Sequence, residues 1–215
     1  MTDMTGSTAM AESAVDRQEP ASPRFLPAAV RRWLARVPHW CRVVMDRDIA
    51  SFLGILPLRS LDAVEISGRR QQGSGFRSWC SLSYPQFDLC KPVAVPATGD
   101  VVFCEQVLEH VADPLAAART LRALTRPGGH LVVSTPFLIR IHREPADYWR
   151  FSADGLRQLL ETAGLEVIRI RSWGNLRCLI ANRFFWFPYI PFLCSLSQAE
   201  DLPLVVWAIA RRPET

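Results

Sequence analysis

Short apolar runs alternate with amphipathic segments from about residue 61 to residue 210, and residues 99–137 show the pattern most clearly. In GDVVFCEQVLEHVADPLAAARTLRALTRPGGHLVVSTPF, Val101, Val102 and Phe103 form an apolar run that gives way to Cys104, Glu105 and Gln106. That is the signature of a buried parallel strand whose carboxyl end opens into a polar site. Asp113 is placed to cap the next helix with Pro114 in its first position, and Leu115, Ala118, Leu121 and Leu124 recur at helical spacing. Pro127, Gly128 and Gly129 stop the helix, and the apolar run from Leu131 to Val133 follows, so the stretch predicts a βαβ unit. Ligands of such units sit beyond the carboxyl ends of the strands, here near residues 105–110 and 134–142.

The same alternation predicts a strand over residues 61–66, LDAVEI, ending in Glu65 and followed by Ser67 and Gly68. Glycine at a strand tip lets backbone approach a ligand, and an acid there accepts from hydroxyl or amino groups. Residues 76–84 predict a further short strand, with Asp88 in the turn after it. Ser152 caps a helix with Leu156, Leu159, Leu160 and Ala163 on one face, and strands follow over 165–170 and 204–210. Between them residues 172–201 are aromatic and proline rich, long for a connection, and are expected to form a lid or binding insertion. Ahead of the first strand, residues 25–60 predict a helical extension, with Val30, Trp33, Leu34 and Val37 on one face of its first segment and a second segment from about Asp46 to Ile55, packed on the sheet or covering a ligand. Residues 1–24 are polar, rich in small residues and expected to be a disordered tail; residues 61–212 form the main domain.

Composition narrows the classes. A chain of 215 residues with 49% hydrophobic and 21% charged residues can bury one sizeable core. The net charge of +4 is spread thinly apart from Arg31, Arg32, Arg36 and Arg42, so no nucleic-acid partner is expected. Six cysteines lack any CxxC pair, and histidines at metal-ligand spacing are absent, so reduced thiols and no metal site are expected. Residues 1–24 lack an apolar core, and residues 176–196 are broken by Asn182, Arg183, Pro188 and Pro191, so neither a signal peptide nor a membrane span is expected and the location expected is cytoplasmic. Lys91 is the one lysine, which excludes a P-loop, a Tyr-x-x-x-Lys reductase pair and a pyridoxal-phosphate enzyme, and GxSxG is absent.

With VVFCEQVLEHVADP, RPGGHLVVSTPF and DYWRFSADGLRQLLETAGLEV in this order, residues 61–173 resemble the class I S-adenosylmethionine-dependent methyltransferases of the type 11 domain group. The resemblance implies a Rossmann-like α/β fold, a doubly wound, mostly parallel sheet with an antiparallel terminal hairpin in a three-layer αβα arrangement. It implies S-adenosylmethionine as cofactor, with Glu65, Ser67 and Gly68 at its methionine end, Asp88 near the adenosine, and Glu105, Gln106 and Val107 between cofactor and acceptor. The chain departs from the family in EISGRRQQGSG, which has fewer glycines after the first acid, and in a short stretch between the first strand and Asp88 that scarcely holds a helix plus two strands.

Methyl transfer from a sulfonium needs alignment above all. For a hydroxyl acceptor a base helps, and since the unperturbed pKa of histidine suits that task, His142 and His110 are the candidates. Asp147, Tyr148 and Arg150 are the candidate acceptor-binding residues, with Trp149 and Phe151 anchoring their loop. The expected activity is O- or N-methylation of a small-molecule, sugar or lipid-like acceptor, the aromatic stretch 184–192 offering apolar walls; the alternative is a catalytically silent module of the same fold.

Overall fold

Six strands make one sheet in the order β2-β1-β3-β4-β6-β5. They are β1 (Asp62–Ile66), β2 (Ser78–Leu82), β3 (Gly99–Glu105), β4 (Thr125–Pro136), β5 (Glu166–Trp173) and β6 (Val205–Arg211) in a computed structural model that describes residues 27, 29, 37–91, 94–143, 145–184 and 186–214. β1 to β4 run parallel, and β6 lies antiparallel to both β4 and β5, which gives the expected terminal hairpin. The expected tail over 1–24 and the helix face at Val30, Trp33 and Leu34 lie outside the described residues.

Period-two geometry sends successive strand side chains to opposite faces, and here both faces are covered. In β3, Val101 and Phe103 point to the face covered by α1 (Val43–Leu53), whose Met45, Ile49 and Phe52 are buried with Val132 and Trp207. Val102 and Cys104 point to the face covered by α2 (Pro114–Leu124) and α3 (Ala153–Thr162), through Leu121, Leu124, Leu156 and Leu160. The result is the three-layer arrangement with a continuous apolar core on each side of the sheet.

Local chemistry sets the boundaries as the sequence indicates. The Asp113 carboxylate accepts from Ala116 N–H at 2.9 Å to cap α2, and Ser152 Oγ accepts from Gly155 N–H at 3.1 Å to cap α3. α2 passes straight into β4, whose first residues include the Pro-Gly-Gly turn. A Cβ at Gly129 would come within 2.8 Å of the Asp100 carbonyl, so glycine is what lets β4 close on β3 there.

Two connections stand out. Residues 67–77 join two parallel strands without a helix, a link slightly shorter than the dozen or so residues such crossovers usually take. Residues 172–201 are not all loop: α4 (Leu176–Phe184) lies within them. Its inward side carries Cys178 and Asn182 while Leu176, Ile180 and Phe184 face outward, so its hydrophobic periodicity points the wrong way for recognition.

Candidate active site at the strand ends

β1 and β3 are each followed by a residue held at positive φ, Ser67 at 53° and Gln106 at 57°. This left-handed conformation costs a non-glycine residue energy and persists where neighbours fix it. Gln106 is fixed twice from β4: its N–H donates to the Ser134 carbonyl at 2.8 Å, and its Nε2 donates to Ser134 Oγ at 3.1 Å.

These sharp exits leave a cavity of about 400 Å³ beyond the parallel strands. Ile66 and Ser67 come to it from β1, Tyr84, Phe87 and Asp88 from the segment after β2, and Gln106, Val107 and His110 from the segment after β3. Tyr148 closes one side and also borders an open groove of about 500 Å³ shared with Ile139, Arg140, Asp147, Arg150 and Leu179. Of the expected cofactor residues, Ser67, Asp88, Gln106 and Val107 therefore converge, although Asp88 comes from a turn. Its Oδ1 accepts from Cys90 N–H at 2.8 Å.

Glu65, Gly68 and Glu105 do not line this cavity, which corrects their expected placement. Glu65 is 4% exposed, and its carboxylate folds back to accept from Arg70 N–H at 2.7 Å, Gln71 N–H at 3.0 Å and Trp79 Nε1 at 2.9 Å. A Cβ at Gly68 would come within 2.5 Å of Glu65 Oε1, so the glycine serves this internal fold. Glu105 pairs with Arg42, just ahead of α1, and receives Gln71 Nε2 at 3.4 Å. Arg70 reaches Asp46 of α1 at 2.9 Å. Thus α1 and the 67–77 link are tied together over the strand ends. Sequence reading missed Arg42, Asp46, Arg70 and Gln71 because their meeting depends on tertiary packing between segments far apart in the chain.

A second group of side chains lies beside the cavity. Glu109, in the 3₁₀ turn Leu108–His110, is fully buried, and neither carboxylate oxygen has a hydrogen-bond partner among the described residues. His110 and His142 each place Nε2 at 3.7 Å from Glu109 Oε1, with their rings edge to face at 5.0 Å between centroids. The facing Glu109 carboxylate raises the pKa of His142 against the opposing effect of burial. The ligand atoms of all three residues lie within 4.8 Å of one another, so the cluster has the donor set of a metal site. This runs against the sequence expectation of no metal ligands, which rested on local spacing. Glu109 and His110 are adjacent, but His142 arrives from the loop after β4.

The proposed acceptor residues divide. Asp147 is locked by both Arg150 nitrogens, one Nη2 to Oδ2 at 2.7 Å, and accepts from His142 N–H at 2.8 Å, while Arg150 holds its carboxyl low, near 2. This pair anchors the loop that carries His142, and both residues border the groove. Tyr148 is 57% exposed at the mouth of both spaces. Trp149 anchors as expected, donating from Nε1 to the Val111 carbonyl at 2.9 Å and stacking on Phe151.

The profile described as Methyltransferase domain matches residues 63–170, half of the chain, from β1 into β5. The chain belongs to this methyltransferase family. Ubiquinone biosynthesis O-methyltransferase of Aliivibrio fischeri (strain MJ11) is 41% identical over 66 residues, 31% of this chain and 26% of that protein. The chain thus aligns with about a quarter of the length of that curated relative. An S-adenosylmethionine-dependent methyltransferase from Clostridium acetobutylicum superposes with a TM-score of 0.51 at 7% identity, covering 83% of this chain and 94% of that one. A possible histamine N-methyltransferase from Thermotoga maritima gives 0.51 at 14% identity over 86% and 95%. These solved structures share the fold, that of the class I methyltransferases whose cofactor is S-adenosylmethionine.

The residues present fit a nucleoside at the cavity. It lies at the tips of parallel strands, has aromatic and aliphatic walls in Tyr84, Phe87 and Val107, and offers the Asp88 carboxylate as an acceptor for hydroxyl groups. Arg42, Arg70 and Gln71 occupy the ground between Glu65 and Glu105, so a methionine end there would meet these residues in place of the glycine-rich surface of the resemblance.

Proposed function

We propose that the chain transfers a methyl group from S-adenosylmethionine to a hydroxyl of a small-molecule, sugar or lipid-like acceptor. The observation that carries this reading is His110, which lines the nucleoside-sized cavity and also belongs to the Glu109–His142 cluster, so cofactor space and a hydroxyl-handling group adjoin. Bound S-adenosylmethionine supplies an electrophilic methyl on its sulfonium. Asp88, Tyr84 and Phe87 hold the nucleoside, Gln106 and Val107 border the reacting end, and the groove past Tyr148 admits the acceptor. The His110–His142 pair polarises the acceptor hydroxyl. The Asp147–Arg150 pair keeps His142 in place. Oxygen is favoured as the acceptor atom because the aligned relative is named an O-methyltransferase.

Incubating the chain with methyl-labelled S-adenosylmethionine and a panel of phenolic, sugar and lipid hydroxyl acceptors tests the reading through labelled ether products. The rival is a silent module, favoured by the internal engagement of Glu65 and Glu105. Tight cofactor binding with no transfer to any acceptor class supports that rival.

A further inference from the structure

Three side chains with ligand atoms, Glu109, His110 and His142, converge beside the cavity that His110 lines. His110 Nδ1 meets the Ala146 carbonyl, and His142 Nδ1 meets the Arg140 carbonyl at 3.2 Å and Asp147 Oδ2 at 3.5 Å. Carbonyl and carboxylate oxygens only accept, so both Nδ1 atoms carry a proton, and in a ring with no second proton Nε2 is free to bind a cation. Each Nε2 faces Glu109 Oε1 at 3.7 Å, too far for a hydrogen bond. A fully buried carboxylate without a hydrogen bond is costly, and among the described residues the two facing imidazoles are the groups positioned to offset it. A cation resolves all of this at once. Ligand atoms about 2.1 Å from one tetrahedral ion stand about 3.4 Å apart, close to the 3.7 Å of each histidine from Glu109, and an Nδ1–H bonded to backbone is the usual second-layer support of a metal-binding histidine.

We propose that Glu109, His110 and His142 bind one divalent first-row transition ion, of which Zn²⁺, Mn²⁺ and Co²⁺ are the test members, with its remaining positions toward the cavity. Two imidazoles and one carboxylate suit that class better than Mg²⁺ or Ca²⁺, which prefer oxygen. The ion's role rests on the methyltransferase reading above; its binding does not. In that role it makes a nearby acceptor hydroxyl more acidic. The hydroxyl proton passes to solvent, the new C–O bond forms as the C–S bond breaks, and its electron pair stays on sulfur, so no oxidant or reductant is needed.

The test uses the full chain, stripped with chelator and titrated with Co²⁺ alone, without cofactor or acceptor. The expected result is visible d–d absorption saturating at one ion per chain, with affinity reduced about 100-fold or more in Glu109→Gln and His110→Gln. Melting gives a second readout that does not depend on activity. Glu109→Gln melts above wild type in chelator, because a buried charge is gone, and below wild type in excess Zn²⁺. A wild type with neither Co²⁺ absorption nor a Zn²⁺ shift overturns the proposal, as does Co²⁺ binding that is unchanged in both variants.

Discussion

Replacing Glu65 by Gln isolates the interaction that stands in for the missing crossover helix. Its carboxylate accepts three hydrogen bonds inside a site that is 4% exposed, two from the backbone of the 67–77 link and one from Trp79 on β2. Glutamine keeps the shape but turns one acceptor oxygen into a donor that faces Arg70 N–H or the Gln71–Trp79 pair. One charged hydrogen bond contributes about 1.5–3 kcal/mol, and a buried donor left unpaired costs a similar amount. The variant should lose about 2–4 kcal/mol, read as an unchanged slope and a lower midpoint in urea. For a chain of this size that corresponds to a melting temperature lower by about 5–15 °C. A loss below about 0.5 kcal/mol, the range of ordinary surface changes, refutes the idea that Glu65 holds the link.

Arg42→Ala should destabilise by about 2–4 kcal/mol in the same urea assay, because it leaves the largely covered Glu105 carboxylate with only Gln71 and a distant Arg70 nearby, and Arg42→Ala/Glu105→Gln should recover part of that loss. Asp113→Ala should cost about 1 kcal/mol through the lost cap of α2. In thiol titration of the native chain, half-buried Cys80 and Cys90 should react first. Cys41, pushed up to about 11 by burial, and Cys104, Cys178 and Cys194 should wait for denaturant. Arg77, Ser78 and Arg126 hold the Asp62 carboxyl well below its usual range, so its stabilising contribution is present above the unfolded value of about 3.9 and is lost as pH falls below it. Acid unfolding of Asp62→Asn should accordingly be less steep below about pH 4.

The alternation in β3 and the caps Asp113 and Ser152 were legible because they are local: period, cap and turn residue lie within a few positions of one another. The mostly parallel sheet and the antiparallel β5–β6 pair followed from the resemblance and agree with the pairing. α4 was not legible, since packing buries Asn182 through its bond to the Cys178 carbonyl and exposes Leu176 and Ile180. At the site, Ser67, Asp88 and Gln106, placed by the resemblance, and His110, proposed for its residue type, all line the cavity. Glu65 and Glu105 were misread, because nothing local shows that Gln71 and Arg42 will satisfy them. Glu109 was passed over for the same reason. Its importance appears only when His142 folds back from the loop after β4 to face it.

The most direct test of the central claim is calorimetric titration of the purified chain with S-adenosylmethionine and with its demethylated product, beside an Asp88→Ala variant. The account predicts saturable binding of one molecule per chain in the cavity beyond β1, β2 and β3, weakened at least about tenfold by the substitution, which corresponds to about 1.4 kcal/mol. Titrations of both ligands that stay without heat at high concentration, or binding indifferent to Asp88, contradict it.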